Sequence, residues 1–343
     1  MAHRSPLRRL LSGLLVLLLV SGVMAAGAAA VAAWWLDRPL PLSDGNTSTE
    51  LSIEPGTTPL AVAQAWVDAG VQVHPRLLYE WFRWSGQARR IRAGSYEIDA
   101  GTSPRRLLAK MVQGDETLER VQFIEGWTVR QMRAALAAAP HLKHTTATLD
   151  EAKLMAALGE AGTAAEGRFF PDTYVYSRGV SDVTVLRRAR RIMIERLAAA
   201  WDQRSADTPL QTADEALILA SIVEKETGQS ADRALVAGVF INRLRIGMPL
   251  QTDPTVIYGL GERFDGDLRK RDLLADTPYN TYTRSGLPPT PIALPGLASL
   301  QAVVRPEPTK ALYFVARGDG GSVFSESLAD HNRAVNRYQR GLK

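Results

Sequence analysis

The N-terminal segment is the feature that most restricts what this chain can fold into. Residues 10–36 carry no charged side chain, and a run rich in Leu and Val is followed by a run of Ala and Gly. About 20 consecutive apolar residues suffice to cross the hydrocarbon core of a bilayer as a helix. Three arginines precede this stretch and a pair of tryptophans closes it. The sequence therefore predicts a single transmembrane helix over residues 10–36, with residues 1–9 in the cytoplasm.

A cleaved signal peptide is the alternative, because several Ala-x-Ala triplets follow the Leu-rich core. The length of the run and the terminal Trp pair favour an uncleaved anchor in the inner membrane. Both interpretations export residues 39–343, so we expect the folded part of the chain to be periplasmic.

The net charge of the chain has a different meaning when the N-terminal segment is counted separately. The formal net charge of +5 suggests a polyanion partner. However, four arginines and one aspartate lie in residues 1–38, which leaves the exported part with a net charge of only +2. We therefore expect no nucleic-acid partner. The chain also has no cysteine, which excludes disulfides, thiolate metal sites, cysteine nucleophiles and a lipid-bearing N-terminal cysteine.

The exported part divides into a small and a large region. Residues 37–50 contain Pro, Gly and Ser and are typical of a linker. Residues 51–118 predict a small α/β module in the order strand, two helices, strand, which resembles a LysM-like glycan-binding module. Its three tryptophans could stack on sugars, although aromatic residues at helical spacing more often belong to a core. They are Trp66, Trp81 and Trp84.

Carboxylate chemistry is what remains after the common catalytic motifs are searched for. The sequence contains no G-x-S-x-G, H-E-x-x-H, P-loop or G-x-G-x-x-G motif, and only five histidines. We therefore predict no metal ion and no cofactor.

One helix is predicted to deliver a carboxyl group from an apolar environment. Residues 213–226 form a helical segment whose stretch 216–223 is apolar on nearly every side, and Glu224 follows it directly. Partial desolvation would raise the pKa of Glu224, which suits an acid that gives a proton to a leaving oxygen. The alternative is an ordinary polar helix end at which Glu224 meets water. Glu226 lies about 200° further round the helix, so the two do not face each other as a glycosidase pair would.

Two polar segments follow this helix. Gln251, Thr252 and Asp253 place three polar side chains together, and Asp253 with the following proline predicts a turn. Residues 278–308 hold seven of the 19 prolines, and the stretch 279–296 predicts a long, irregular loop. Loops of this length in compact domains are usually functional. The alternative is a loop with a purely structural role.

Five long segments resemble one family, the endolytic murein transglycosylases, also called MltG or YceG-like proteins. They are EGRFFPDTY (166–174), LASIVEKETG (219–228), VFINRLRIGMPLQTDPTVIYGLG (239–261), YNTYTRSGLPPTPIALPG (279–296) and ALYFVARGDGGSVFS (311–325). The anchor and the LysM-like module also match the layout of the family. The resemblance implies an α+β fold in which residues 119–343 form a larger mixed α+β catalytic domain.

The resemblance also implies an activity, that of a peptidoglycan lytic transglycosylase. Such an enzyme cleaves the β-1,4 bond between N-acetylmuramic acid and N-acetylglucosamine in nascent glycan strands without water, which ends strand elongation. Glu224 matches the family's catalytic acid/base. It would protonate the glycosidic oxygen and then deprotonate the muramoyl C6 hydroxyl, which attacks C1 and closes a 1,6-anhydro ring.

Motif membership and residue type give the remaining candidates. We predict that the glycan is contacted by Gln251, Thr252, Asp253, Tyr258, Asn280 and Tyr282. The expected partners are peptidoglycan strands, the inner membrane and peptidoglycan synthases. Two alternatives stay open. One is a hydrolytic muramidase, in which a second carboxylate such as Asp253 positions water. The other is a non-catalytic glycan-binding scaffold of the cell-wall synthesis machinery.

Overall fold

The computed structural model describes residues 6–43 and 47–341, with side chains from residue 15 onward. The chain forms two compact units. Unit 1 comprises Met1–Glu119 together with Ser177–Gly179, and unit 2 comprises Arg120–Tyr176 and Val180–Lys343.

Unit 1 joins one long helix to a small α/β module. Its elements are α1 (Pro6–Asp37), β1 (Ser48–Ile53), α2 (Pro59–Asp68), α3 (Pro75–Trp84), β2 (Gly94–Asp99) and α4 (Pro104–Gln113). The two strands pair antiparallel, with Leu51 opposite Tyr96. This matches the predicted order of strand, two helices and strand, while the LysM-like interpretation stays a prediction.

The predicted transmembrane segment lies within α1. Its stretch Leu15–Asp37 is long and apolar enough to cross a membrane. The side chains of residues 15–34 are exposed, as expected of a helix that meets lipid rather than a protein core. Length and composition are thus those of a membrane anchor.

Part of the segment predicted as a linker packs against the module. Leu40 is buried, and its N–H donates to the carbonyl of Thr102 at 2.8 Å. Leu42 forms an isolated antiparallel bridge with Val71. Composition suggested a linker because polar residues dominate, but Leu40 is buried and Leu42 half-buried against the core of the module. Little slack therefore separates α1 from the module.

Two tryptophans of unit 1 differ in their exposure to solvent. Trp66 is fully buried, and its Nε1–H donates to the sulfur of Met111 at 3.3 Å. It is therefore a core residue and is not available to stack on a sugar. Trp84, in contrast, is 77% exposed.

Most elements of unit 2 are helices, and short two-stranded sheets lie between them. From β3 onward they are β3 (Leu118–Gln122), α5 (Val129–Ala138), α6 (Glu151–Ala157), β4 (Thr173–Ser177), α7 (Asp182–Asp202), α8 (Ala213–Glu226), α9 (Arg233–Arg245), α10 (Asp253–Leu260), α11 (Lys270–Leu274), α12 (Leu297–Val304), β5 (Tyr313–Ala316), β6 (Ser322–Ser325) and α13 (Leu328–Tyr338). β3 pairs with β4, and β5 pairs with β6. The fold is mixed α+β, as the sequence predicted.

Helix α8 is the central element of unit 2. It packs against α7, α9, α10 and α12. Thr212 caps its N-terminus by accepting the N–H of Glu215. The hydroxyl of Ser221, the one polar group within the apolar stretch, donates to the carbonyl of Ile218 and accepts the N–H of Ile292. The prediction of a helix buried all round is confirmed.

The prediction of a turn at Asp253 is wrong. Asp253 opens helix α10, and Pro254 occupies its first turn. Proline suits this position because the first N–H groups of a helix have no partner within the helix. The neighbouring stretch 279–296 forms no regular helix or strand, as expected.

Gly238 allows α9 to approach the chain that leads to β5. A Cβ atom at this position would lie 2.8 Å from Cγ2 of Thr309 and 2.9 Å from the carbonyl oxygen of Glu307. We predict that Gly238→Ala lowers the free energy of unfolding by about 1–3 kcal/mol, because the clash outweighs the better helix propensity of alanine. Thermal unfolding of the detergent-solubilised chain measures this, and an unchanged or raised Tm would contradict it.

Candidate active site

Glu224 lies in the last turn of α8 with its side chain only 7% exposed. The N–H of Gly296 donates to its Oε2 at 2.9 Å. The guanidinium of Arg233 lies 3.8 Å from its Oε1. A buried carboxylate is costly unless it is hydrogen-bonded or paired, and here both kinds of contact are present. The carboxyl of Glu224 therefore has both a hydrogen-bond donor and a cationic partner in the site.

A second carboxyl group, missed by the sequence analysis, lies beside Glu224. A Cβ atom on Gly296 would fall 1.8 Å from Oε1 of Glu125, so the carboxyl of Glu125 fills the space that glycine leaves empty. The N–H of the same glycine binds Glu224. Burial, followed by the negative charge of Glu224, raises the pKa of Glu125, while Arg233 opposes the shift.

Backbone hydrogen bonds hold Glu125 in this place. The N–H of Gly126 donates to the carbonyl of Leu294 at 2.9 Å, and the N–H of Leu294 donates to the carbonyl of Trp127 at 2.7 Å. The ammonium of Lys225 donates to the carbonyl of Gly126 at 3.3 Å. The turn after β3 is thus fastened to the Pro-rich loop and to the end of α8. The sequence signal for it is a Glu-Gly pair directly after a strand.

Glu226 contacts a different set of groups from Glu224, as the helical spacing predicted. Glu226 is half-buried, and the hydroxyl of Thr252 donates to its carboxyl. Burial raises the pKa of Glu226. The hydrogen bond from Thr252 opposes the shift, the charge of Asp253 adds to it, and Arg243 opposes it.

Three of the predicted glycan contacts line one open cavity with Glu226. They are Gln251, Asp253 and Tyr282, and the cavity has a volume of 480 Å³. The hydroxyl of Tyr282 donates to Oδ1 of Asp253 at 2.6 Å. Gln251 has a φ of 49°, which is uncommon for a non-glycine residue. The structure thus brings these three side chains together.

Asn280 has its hydrogen bonds within the protein. Its Nδ2 donates to the carbonyls of Asp272, Leu273 and Ala275, and its Oδ1 accepts the N–H of Tyr282. The side chain is 1% exposed. These contacts account for Asn280 as an organiser of the loop without any ligand.

Tyr258, the remaining candidate, lines a separate cavity of 970 Å³ together with Glu166 and Arg133. Its hydroxyl donates to Oε2 of Glu166 at 3.2 Å, and the N–H of Val129 donates to the same carboxyl. Burial raises the pKa of Glu166 to about 7, although these hydrogen bonds oppose the shift. The six predicted contacts are therefore distributed over two cavities and the protein interior.

Carboxyl groups dominate this region of the protein. In residues 6–43 and 47–341, no group of three or more His, Cys, Asp or Glu residues is placed to hold a metal ion.

The fold and the site define an α+β protein with a buried carboxylate centre at the end of a central apolar helix. The YceG-like family model matches residues 51–337, and the chain belongs to this family.

Individual relatives agree with the family assignment. The endolytic murein transglycosylase of Bacillus subtilis is 30% identical over 314 residues, which is 86% of this chain and 86% of that protein. The enzyme of the same name from Streptococcus pneumoniae is 33% identical over 181 residues, which covers 50% of this chain and 31% of that protein. The crystal structure of a putative YceG-like protein from Listeria monocytogenes has a TM-score of 0.54 and 27% identity, and the match covers 84% of this chain and 98% of that one. The resemblance read from the five sequence segments is confirmed.

The titration of Glu166 gives the protein a pH-dependent stability. Because its folded-state pKa is raised to about 7 from an ordinary value of 4.5, folding favours the protonated form. This contribution is complete below about pH 4.5 and is lost as the pH rises through 7. We expect it to be worth roughly 3 kcal/mol.

Urea unfolding from pH 4.5 to 8 measures this contribution. The Glu166→Gln variant should lose the part of the decline that Glu166 causes, so the difference in unfolding free energy between variant and wild type should change across this range. Parallel pH profiles for the two proteins would contradict the prediction.

Proposed function

We propose that this YceG-like protein is a peptidoglycan lytic transglycosylase that cleaves the bond between N-acetylmuramic acid and N-acetylglucosamine and leaves 1,6-anhydro ends. The names of its relatives support the reaction class. The observation that carries the proposal is Glu224, a buried carboxyl that ends an apolar helix and contacts one N–H group and one guanidinium.

In this mechanism, Glu224 transfers protons in both directions. Its proton passes to the glycosidic oxygen as the bond from C1 to that oxygen breaks. The N–H of Gly296 and the charge of Arg233 then stabilise the carboxylate. The carboxylate takes the proton of the muramoyl C6 hydroxyl while O6 bonds to C1, which closes the anhydro ring and restores the acid. No water is consumed.

Glu125 is proposed as a positioning residue for this proton. The charge of Glu224 disfavours the ionised form of Glu125, so Glu125 keeps its proton to a higher pH than a lone carboxyl would. A protonated Glu125 beside Gly296 can share its proton with Glu224, the acid that the first step requires. The charge of Arg233 opposes the shift at Glu125.

The glycan contacts are proposed on the basis of the 480 Å³ cavity. Gln251, Asp253 and Tyr282 offer hydrogen-bonding groups and one aromatic face there. A cavity of this volume, in which a few polar groups converge, suits a small polar ligand such as one or two sugar residues. Thr252 supports this wall through its bond to Glu226. Tyr258 is proposed as a contact in the 970 Å³ cavity.

Topology and partners complete the proposal. Helix α1 would anchor the chain in the inner membrane with its N-terminus in the cytoplasm and units 1 and 2 in the periplasm. Glycan strands emerge at that face of the membrane, where peptidoglycan synthases act. The synthases are therefore the expected protein partners.

A hydrolytic muramidase remains the second candidate. The contacts of Asp253 and Glu125 favour Glu125 over Asp253 as the second carboxylate of such an enzyme. Asp253 accepts a hydrogen bond from Tyr282 and lines the cavity of Glu226. Glu125, which shares Gly296 with Glu224, is better placed to position a water molecule. The two reactions differ in their products, since hydrolysis leaves reducing muramoyl ends.

The product assay tests the central proposal. Purified full-length protein should release anhydro-muramoyl ends from peptidoglycan, detected by mass. Glu224→Gln should lower the rate by about 10²–10⁴-fold, because the acid is lost while the shape is kept. Glu195→Gln, which changes an exposed carboxyl of α7, is the matched control and should retain most activity. Reducing ends from the wild type would falsify the lytic mechanism. Full activity of Glu224→Gln would exclude Glu224 as the acid, and absence of any cleavage by the wild type would leave the scaffold function.

A pH profile tests Glu125. We expect Glu125→Gln to move the alkaline limb of the rate profile to lower pH, because a proton-holding neighbour of Glu224 is lost. The measurement is kcat/KM for glycan cleavage between pH 5 and 9. A uniform drop in rate with an unmoved profile would show a merely structural role for Glu125.

A further inference from the structure

Helices α1 and α3 enclose an apolar hollow within unit 1. Its volume is 830 Å³, and its α1 wall consists of side chains between residues 23 and 36. On the α3 side it is lined by Leu77, Glu80, Trp81 and Trp84. The hollow therefore opens beside the segment of α1 that is long and apolar enough to span a membrane.

Helix α3 has a second apolar face that the core does not use. Leu78 and Phe82 are buried in the module. Leu77, Trp81 and Trp84 are spaced by four and three residues and so share another face of the helix. On it, Leu77 is 53% and Trp84 77% exposed. Two large apolar side chains exposed side by side next to a membrane anchor indicate contact with lipid.

Side-chain contacts fasten α3 and α1 to the same part of the module. Arg105 on α4 donates to both carboxylate oxygens of Asp37, the last residue of α1, at 2.8 and 3.4 Å. The Nε1–H of Trp81 donates to the carbonyl of Pro104 at 3.1 Å. Both contacts end on neighbouring residues of α4. The face of α3 is therefore held at the level of the end of α1.

The length of the apolar run places this level in the bilayer. Residues 10–36 are 27 uncharged residues, whereas about 20 cross the hydrocarbon core. At 1.5 Å per residue, the excess of about seven residues is about 10 Å long, which is about 5 Å on each side of a centred helix. The headgroup layer on each side is about 5–8 Å thick. The end of α1 and the exposed face of α3 thus coincide with the outer headgroup layer.

The side chains of α3 suit that layer. Tryptophan prefers the membrane interface, where an apolar ring meets polar groups. The indole N–H of Trp84 donates to Glu80, and Arg83 forms an ion pair with the same carboxylate. An amphipathic helix with Trp and Leu on one face and charged groups beside them is typical of interfacial segments.

We propose that α3 is an interfacial helix whose face formed by Leu77, Trp81 and Trp84 enters the outer headgroup layer of the membrane that α1 spans. The proposal rests on the membrane anchoring proposed above. Its occupant is the phospholipid surface itself, since the hollow is continuous with the lipid-facing side of α1. The module is then held on the membrane by two elements instead of one.

The absence of cysteine allows a direct test by single-site labelling. The full-length chain, with Leu77→Cys or Trp84→Cys, is labelled with an environment-sensitive fluorophore and reconstituted in phosphatidylethanolamine–phosphatidylglycerol vesicles. Lipids with a spin label near the headgroup then quench the fluorophore. Thr57→Cys, an exposed position of the same module, is the matched control. Val20→Cys, in α1, is probed with a deep spin label and reports on the anchor.

The outcomes separate the two proposals. We expect shallow spin labels to remove most of the fluorescence at residues 77 and 84 and little at residue 57, while the deep label quenches residue 20. Quenching at 20 without quenching at 77 and 84 overturns the interfacial helix and leaves the anchor intact. Absence of quenching at 20 overturns the anchor itself. Equal quenching at 57, 77 and 84 shows that the exposed face of α3 is not selected, which also overturns the proposal.

Discussion

The burial of α8 on all sides is the constraint on which the candidate active site depends. Four helices surround it, and its one interior hydroxyl, on Ser221, binds the backbone of the Pro-rich loop at Ile292. A close-packed interior transmits position, because side chains cannot shift without opening voids. The loop that carries Gly296 is thus fastened to the helix that carries Glu224. A mobile loop could not keep one N–H group at hydrogen-bond distance from the carboxyl that is proposed to transfer protons.

The same arrangement explains why three acidic groups near one helix end behave differently. Glu224 meets an N–H and a guanidinium, Glu125 meets another carboxyl, and Glu226 meets a hydroxyl. Residue type alone does not distinguish these three glutamates. Their surroundings therefore differ: Glu224 is hydrogen-bonded and paired with a cation, Glu125 lies beside a like charge, and Glu226 is held in a polar wall.

Local patterns predicted much of the architecture. The helix predicted over residues 213–226 has the bounds Ala213–Glu226 in the structure, because its apolar stretch and its N-terminal cap are local signals. Contacts across the chain were beyond such patterns. Glu125 and Glu224 meet only after the chain has folded back through Leu294 and Gly296, and nothing in either local segment reports that distance. The packed residues Leu40 and Leu42 were hidden for a related reason, since a mostly polar composition outweighed two leucines.

The junction between α1 and the module has a mechanical consequence. Arg105 binds Asp37, and Leu40 is buried three residues later, so residues 37–40 join the helix closely to the folded module. A flexible tether would let its cargo sample a range of heights above the bilayer. With a rigid junction, in contrast, the position of the module follows that of α1. The thickness of the bilayer and the tilt of the helix then set the height and rotation of the module. In the proposed topology, membrane composition thereby becomes a variable to which the folded module responds.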